Sequence, residues 1–284
     1  MVEQHQQWPV SVLCEVLEVS RSGFYTYMQR HATTRREAAE DALVARVKAI
    51  AAQTRYSYGS RRMAKQLQAD GFAVGRYKAR RLMQHAAVTV QRRPKRQPVT
   101  TDSRHRYGVV PNLLARQFDV AQPNHVWAGD ITYVWTAEGW LYVAVLLDLY
   151  SRKVVGWATS PHVDAALVQE ALCMALGRRQ PARGLLHHSD RGSQYACHAY
   201  QQLLAAHGIR CSMSEKGECL DNAVAERFFG SLKGERTSLR HYATRQAARD
   251  DVVEYIEMFY NSTRLHSYLG YVSPNDYEGL AKVA

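Results

Sequence analysis

The chain has 284 residues, 46% of them hydrophobic, with 37 Lys and Arg against 26 Asp and Glu. That length supports a sizeable core and more than one domain, and no apolar run, not even LYVAVLL at 141–147, approaches the roughly 18 residues a membrane span needs. The start MVEQHQQWPV lacks the charged-then-apolar pattern of a secretory signal, and five cysteines without a Cys-x-x-Cys pair or a zinc-type His/Cys spacing fit a reduced, cytoplasmic setting.

The charge is unevenly placed. Residues 1–110 carry 20 Lys and Arg against 8 Asp and Glu, whereas 111–284 carry 17 against 18. The whole positive excess therefore lies in the first part of the chain and points to a polyanionic partner, nucleic acid, for that part.

Taken in order, WPVSVLCEVLEVSRSGFYTY reads as a short helix, a turn at Ser22-Gly23 and an aromatic stretch. Residues 35–54 repeat apolar residues at three-to-four spacing and predict an amphipathic helix. Next, Ser60 is expected to cap a helix with Met63 and Leu67 inward, ended by Gly71. A second helix from about Val74 places Leu82 and Met83 inward and Arg76, Lys78, Arg80 and Arg81 mostly outward. Two short helices about a Gly turn, the second strongly basic, suit a helix-turn-helix, with those four cations as candidate DNA contacts; a plain basic helical hairpin fits the pattern equally well. QRRPKRQPVTTDSRHR at 91–106 reads as a basic linker able to track phosphates.

From about residue 115 the pattern changes to strands. HVWAGDITYVW, GWLYVAVLLDLYS and RKVVGWATS predict a three-strand meander with turns at Glu138-Gly139 and Tyr150-Ser151-Arg152. A helix at 164–176, a strand at 184–188, a helix at 193–207, a strand at 209–213, a helix around Glu226 and a last helix at 244–260 follow. Three antiparallel strands succeeded by alternating α and β make an α/β layer with a mixed sheet. YNSTRLHSYLGYVSPNDY, after the last helix, shows no periodicity.

Three carboxylates stand out. Asp130 lies inside the strand-like WAGDITYVW, Asp190 ends the apolar run GLLHHSD, and Glu226 lies in the helical DNAVAERFFGSLK, with 35 residues between it and Asp190. An ionised Asp in a buried strand needs a compensating partner, and three carboxylates on two strands and a helix suit two hard divalent cations. Such a pair of ions activates the attacking oxygen and stabilises the leaving oxygen of a phosphodiester displacement. At about 100° per residue, Asn222 and Lys233 fall on the Glu226 side of that helix, with Val224, Phe228 and Leu232 opposite. Lys233 is a candidate DNA contact, with a solvated lysine as the alternative. Asp148 is a rival carboxylate, read first as a turn residue. His187 and His188 are read as structural, Gly192 as a tight-loop residue, Gln194 as a loop or DNA contact, and Tyr260, Asn261, Arg264 and His266 as a cap on the last helix. A tyrosine recombinase, despite 17 Tyr, would need an Arg/His set that cannot be assembled.

In sequence order, WAGDITYVW, DLYSRKVVGWA, HHSDRGSQY, DNAVAERFFGSLKGE and YNSTRLHSYLGYVSP resemble the integrase-type catalytic core of insertion-sequence transposases encoded by two overlapping reading frames. The chain resembles their second-frame product, and YGSRRMAKQLQADGFAVGRYKARRLM resembles the helix-turn-helix preceding that core. The resemblance runs from about residue 10 to 278. It implies a ribonuclease-H-like mixed sheet with flanking helices after an all-α helix-turn-helix region. It further implies a DDE triad at Asp130, Asp190 and Glu226, dependence on two Mg²⁺ ions (or Mn²⁺), strand transfer at element ends, and homo-oligomers on DNA in a bacterial, nucleoid-associated setting.

The expected layout is 1–90 for DNA binding, 91–114 linker, 115–240 catalytic core and 241–284 its C-terminal helix and tail. One departure is Glu218, where the family commonly has Asn. The upstream helix-turn-helix and coiled coil of the first reading frame are not seen in the sequence, so the first-frame product, separate or fused, is an expected partner. A transposase-derived DNA-binding regulator without catalysis and a ribonuclease-H-like nuclease without strand transfer are the alternatives, and viral integrases differ by a His-His-Cys-Cys zinc module.

Overall fold

The structure, a computed structural model, describes residues 8–91, 107–215 and 218–281. The chain divides into two compact units, Met1–Val90 and Gln91–Ala284. Residues 92–106, most of the expected linker, lie outside those described.

The first unit is helical: α1 Val10–Val16, α2 Arg21–Gln53, α3 Ser60–Ala69 and α4 Arg76–His85. Ser22-Gly23 is not a turn but the opening of α2, because the Ser20 hydroxyl accepts from Gly23 N–H at 3.0 Å and caps the helix. The C-terminal half of α2 buries Leu43, Val47 and Ile50 at helical spacing. Helix α3 adds Met63 and Leu67, and α4 adds Ala79, Leu82 and Met83. Gly59, not Ser60, caps α3, and Gly75 caps α4, so Val74 belongs to the buried turn before it. Gly71, at φ +88°, ends α3 in the left-handed region, and Phe72 N–H returns to the Leu67 carbonyl at 2.9 Å. An Arg46–Asp70 ion pair at 2.7 Å ties α2 to the end of α3.

The second unit is built on a five-stranded sheet: β1 Val126–Thr136, β2 Gly139–Asp148, β3 Val154–Ser160, β4 Leu186–Ser189 and β5 Arg210–Met213. The order is β3-β2-β1-β4-β5. The first three form the antiparallel meander, and β4 and β5 run parallel to β1. The first turn falls at Ala137-Glu138, so Gly139 begins β2.

Helices cover both faces. On one lie α5 Ala165–Arg179, α6 Ser193–Ala196 and α7 His198–Ala206. Their Leu167, Ala171, Tyr195, Tyr200 and Leu204 pack with Trp127, Leu146 and Val155 of the strands. Gly156 permits this approach, since a Cβ there would meet the Ala171 carbonyl at 2.3 Å. The helix expected at 193–207 is interrupted at Cys197, whose extended backbone caps α7.

The other face carries α8 Ala223–Glu235 and α9 Arg245–Glu254, which continues as a π-helix over Tyr255–Tyr260. Here Phe228, Leu232, Val252, Tyr255 and Ile256 are buried. The stretch after 260, without periodicity, holds a 3-10 turn at Ser267–Leu269 and α10 Pro274–Ala281. Its short helix begins at a proline, which suits a first helical turn.

Candidate active site

Two adjacent strands and one helix start define the site. Strand β4 pairs with β1 in parallel only over Val126–Ala128, with Ala128 opposite His188. Two residues further along each strand come Asp130 and Asp190, side by side at the point where β4 gives way to a loop. Both are half-buried. Asp130 Oδ1 accepts from Ile131 N–H at 2.8 Å, and Asp190 Oδ1 from Gly192 N–H at 3.0 Å. At Gly192 a Cβ would lie 3.0 Å from both Asp190 Oδ1 and Gln194 Oε1, so a larger residue would push on the oriented Asp190 oxygen.

Helix α8 packs against β1. Its cap, Asn222, is buried and donates Nδ2–H to the Gly129 carbonyl at 3.1 Å, which anchors the helix start beside Asp130. Asn222 is thus a tether before the helix and not part of its cleft-facing stripe. Ala225, Phe228, Phe229 and Leu232 form the buried side, while Val224 is half-buried against the Ala128–Leu186 patch. Glu226 sits in the first turn, where the helix dipole favours an acid.

The electrostatics set Asp130 apart. Burial, then repulsion by Asp190 and, more weakly, Glu226 push its carboxyl well above the ordinary range, against the Ile131 hydrogen bond and the attraction of Lys233. Glu226 is exposed as a whole side chain, yet the protein around its carboxyl raises its pKa by desolvation. Lys233, half-buried, places Nζ 4.3 Å from the Tyr133 ring centroid.

The neighbouring residues have structural partners. His187 Nε2 lies 3.0 Å from the Tyr200 hydroxyl, and His188 bridges Ser212 and Ser214 at 2.9 and 3.2 Å. Burial holds their pKa values down at about 3 and about 4, so both rings are neutral. Asp148 is fully buried at the end of β2, accepting from Asn124 and Tyr150 N–H and pairing with Arg179 at 3.2 Å. Gln194 Nε2 donates to the Val163 carbonyl. Asn261 bonds both backbone polar groups of Val154, and Arg264 pairs with Glu235 at 2.6 Å. Glu218 is taken up by Arg116, which also holds the buried Asp221 at 2.8 Å.

Arg116 and Tyr195 escaped the sequence reading. Tyr195 is buried within the field of Asp130 and Asp190. Arg116 carries no local signal, because both its partners are about a hundred residues away.

Among the described residues no group of three His, Cys, Asp or Glu side chains forms a ready-made metal cage. The donor set still suits hard cations. It is made of carboxylate oxygens, and the repulsion that raises the Asp130 pKa is what bound positive charge would relieve.

In the first unit, Arg76, Lys78, Arg80 and Arg81 are all exposed on α4, and Arg81 approaches Glu40 at 3.5 Å. Tyr77, 85% exposed among them, is an aromatic that the sequence reading passed over.

Family models and sequence relatives agree with this two-part organisation. Integrase core domain models match residues 120–219 and 226–280, and an HTH-like domain model matches 38–96. The chain is 41% identical over 284 residues to Transposase InsF for insertion sequence IS3A of Escherichia coli (strain K12), covering 98% of this chain and 96% of that protein. It is also 41% identical over 262 residues to the Insertion element IS600 uncharacterized 31 kDa protein of Shigella sonnei, covering 92% and 96%. Among solved structures, the catalytic core domain of BIV integrase is 20% identical at a TM-score of 0.42, covering 56% of this chain and 97% of that one. The chain belongs to the IS3-type insertion-sequence transposases, polynucleotidyl transferases with a ribonuclease-H-like integrase core behind an HTH-like helical region.

Proposed function

We propose that this transposase nicks DNA at the ends of its element and joins the freed 3′-hydroxyl to target DNA, with Asp130, Asp190 and Glu226 as the catalytic carboxylates. The observation that carries the reading is the placement of the half-buried Asp130 and Asp190 just beyond the β1–β4 pairing, with Glu226 in the first turn of the helix that Asn222 ties to Gly129. In this carboxylate cluster Asp190 and Glu226 push the Asp130 carboxyl up. Asp130 and Asp190 would hold two Mg²⁺ or Mn²⁺ ions and Glu226 would complete one. Bound there, such ions supply Lewis-acid stabilisation of the phosphoryl oxygens, so no Ser, Tyr or Cys nucleophile is required.

The chain's own groups do the rest. Asn222 fixes the start of α8 against Gly129 and so sets where Glu226 stands. Gly192 N–H keeps one Asp190 oxygen oriented. Lys233 brings a fixed positive charge beside Asp130, suited to a DNA phosphate. The α4 cations Arg76, Lys78, Arg80 and Arg81 would grip duplex DNA, on which several copies, with the first-frame product, would assemble.

The test supplies a pre-cut 3′-hydroxyl end with Mg²⁺ and follows joined product. Asp130→Asn, Asp190→Asn and Glu226→Gln should each abolish joining and leave duplex binding close to wild type. A variant that joined at the wild-type rate would remove that residue from the triad. A wild-type chain that nicked but never joined would instead be a nuclease, and one that only bound DNA a regulator.

A further inference from the structure

The β1–β2 hairpin has two unlike faces. Thr132, Val134 and Thr136 of β1, with Leu141 and Val143 of β2, are buried on one. On the other the register sets Tyr133 opposite Tyr142 and Trp135 opposite Trp140, so four aromatic side chains share that face. Trp135 is 60% exposed and Trp140 42%. The Trp140 ring meets Trp135 edge-on at 4.7 Å and Tyr133 at 4.8 Å. Cross-strand pairing alone would account for aromatics at these positions, but not for leaving two indoles open to solvent.

The patch is joined to the carboxylate site. Lys233 Nζ stands 4.3 Å from the Tyr133 ring, and the same ammonium attracts Asp130. Strand alternation puts Asp130 with Thr132 and Val134 on the opposite face, so Lys233, which contacts Tyr133 and attracts Asp130, links the two across the β1 edge that β4 leaves unpaired beyond Ala128. A cation seated on the half-buried Tyr133, with the exposed Trp135 and Trp140 beyond it, is the pairing that grooves for unpaired nucleic acid present, the charge for phosphate and the rings for base faces. We propose that Tyr133, Trp135 and Trp140 form a stacking platform for unpaired nucleobases of the DNA strand whose phosphate lies at Asp130. This rests on the DNA reaction proposed above and adds a subsite to it.

The experiment compares full-length protein binding to two labelled duplexes of equal length, one with an unpaired 3′ thymidine tail and one fully paired. Metal is omitted so that neither is cut. The wild type should prefer the tailed duplex, with quenching of tryptophan emission as the tail binds. The Trp135→Leu/Trp140→Leu variant should lose that preference, by roughly 5- to 150-fold per base no longer stacked. The Trp135→Phe/Trp140→Phe variant, which keeps a ring at each position, should retain most of it.

Equal weakening on both duplexes, or no change on either, would overturn the platform. So would a Leu variant that lost self-association in sedimentation while keeping tail preference, since a second copy would then cover the patch. A wild-type chain that bound neither duplex would overturn the underlying DNA reading instead.

Discussion

In the 1–90 unit the cations of α4 stand exposed around a small core, whereas in the 91–284 unit buried and half-buried cations are locked onto carboxylates. Arg179 joins Asp148 and Glu278, Arg236 joins Asp251, and Arg264 joins Glu235. The difference shows how charge is used in each part. Outward-facing charge is available to a polyanion and costs little to hydrate. Inward charge must be compensated on the spot. Against that second habit Asp130 stands out: burial, then repulsion by Asp190 and, more weakly, Glu226 raise its carboxyl, and the attraction of Lys233 only partly offsets them.

The contrast breaks most completely at those carboxylates. Amide substitution there should remove joining altogether while stability holds or rises in metal-free protein, because a neutral side chain relieves the repulsion at Asp130 and the desolvation of charge at Glu226. Denaturant titration alongside the joining assay checks both halves, and a triad substitution that destabilised the fold would show the residue to be structural.

Next in size is the Asp251 hub, which accepts from Arg236 at 2.9 Å and from the Tyr242 hydroxyl at 2.6 Å and also pairs with Arg240. Asp251→Ala leaves the buried Arg236 guanidinium with only its 3.2 Å pairing to Glu254 and should cost about 3 kcal/mol, the low end for a broken buried pair. Urea unfolding would read this loss, and a change below 1 kcal/mol, on the order of a surface pair, would mean that the internal ties are dispensable.

Acid should reach the second unit through its histidines. His187 and His188 are held at about 3 and about 4 by burial, against about 6.5 in an unfolded chain. The unfolded chain therefore takes up protons first. Their contribution is fully present above about pH 6.5 and is lost as pH falls toward the folded values, at about 1.4 kcal/mol per unit of depression at most. His187→Gln should flatten that limb of a stability–pH curve; an unchanged limb would assign acid sensitivity to other groups.

The smallest structural effect is expected from the first unit. Changing Arg76, Lys78, Arg80 and Arg81 together to Ala should leave the fold intact, since Ala79, Leu82 and Met83 carry the packing. Duplex affinity should fall, and the slope of log affinity against log salt should flatten by about 0.9 for each phosphate contact removed. If an isolated 111–284 fragment kept the full slope, the division of labour between the two units would fail.

Much of the architecture was legible from the residues. The strand and helix periods, the Gly71 stop, the buried Met63, Leu67, Leu82 and Met83 and the three-strand meander follow from neighbours within one or two turns, and side-chain periodicity encodes them directly. Errors gathered where the deciding partner was local but ambiguous. Ser22-Gly23 looks like a turn until Ser20 is seen to cap α2, and 193–207 looks like one helix until Cys197 extends.

Only the tertiary structure decided the rest. The order β3-β2-β1-β4-β5 and the short parallel pairing of β1 with β4 put Asp130 beside Asp190, and the Asn222–Gly129 bond brings the start of α8 to the same place. Arg116 meets Asp221 and Glu218, and Trp135 meets Trp140 on an open face, for the same reason. Periodicity tells each segment which face to bury, but not which distant segment it will meet. That choice depends on strand register and packing between elements far apart in the chain, and it is there that a few scattered side chains become a site.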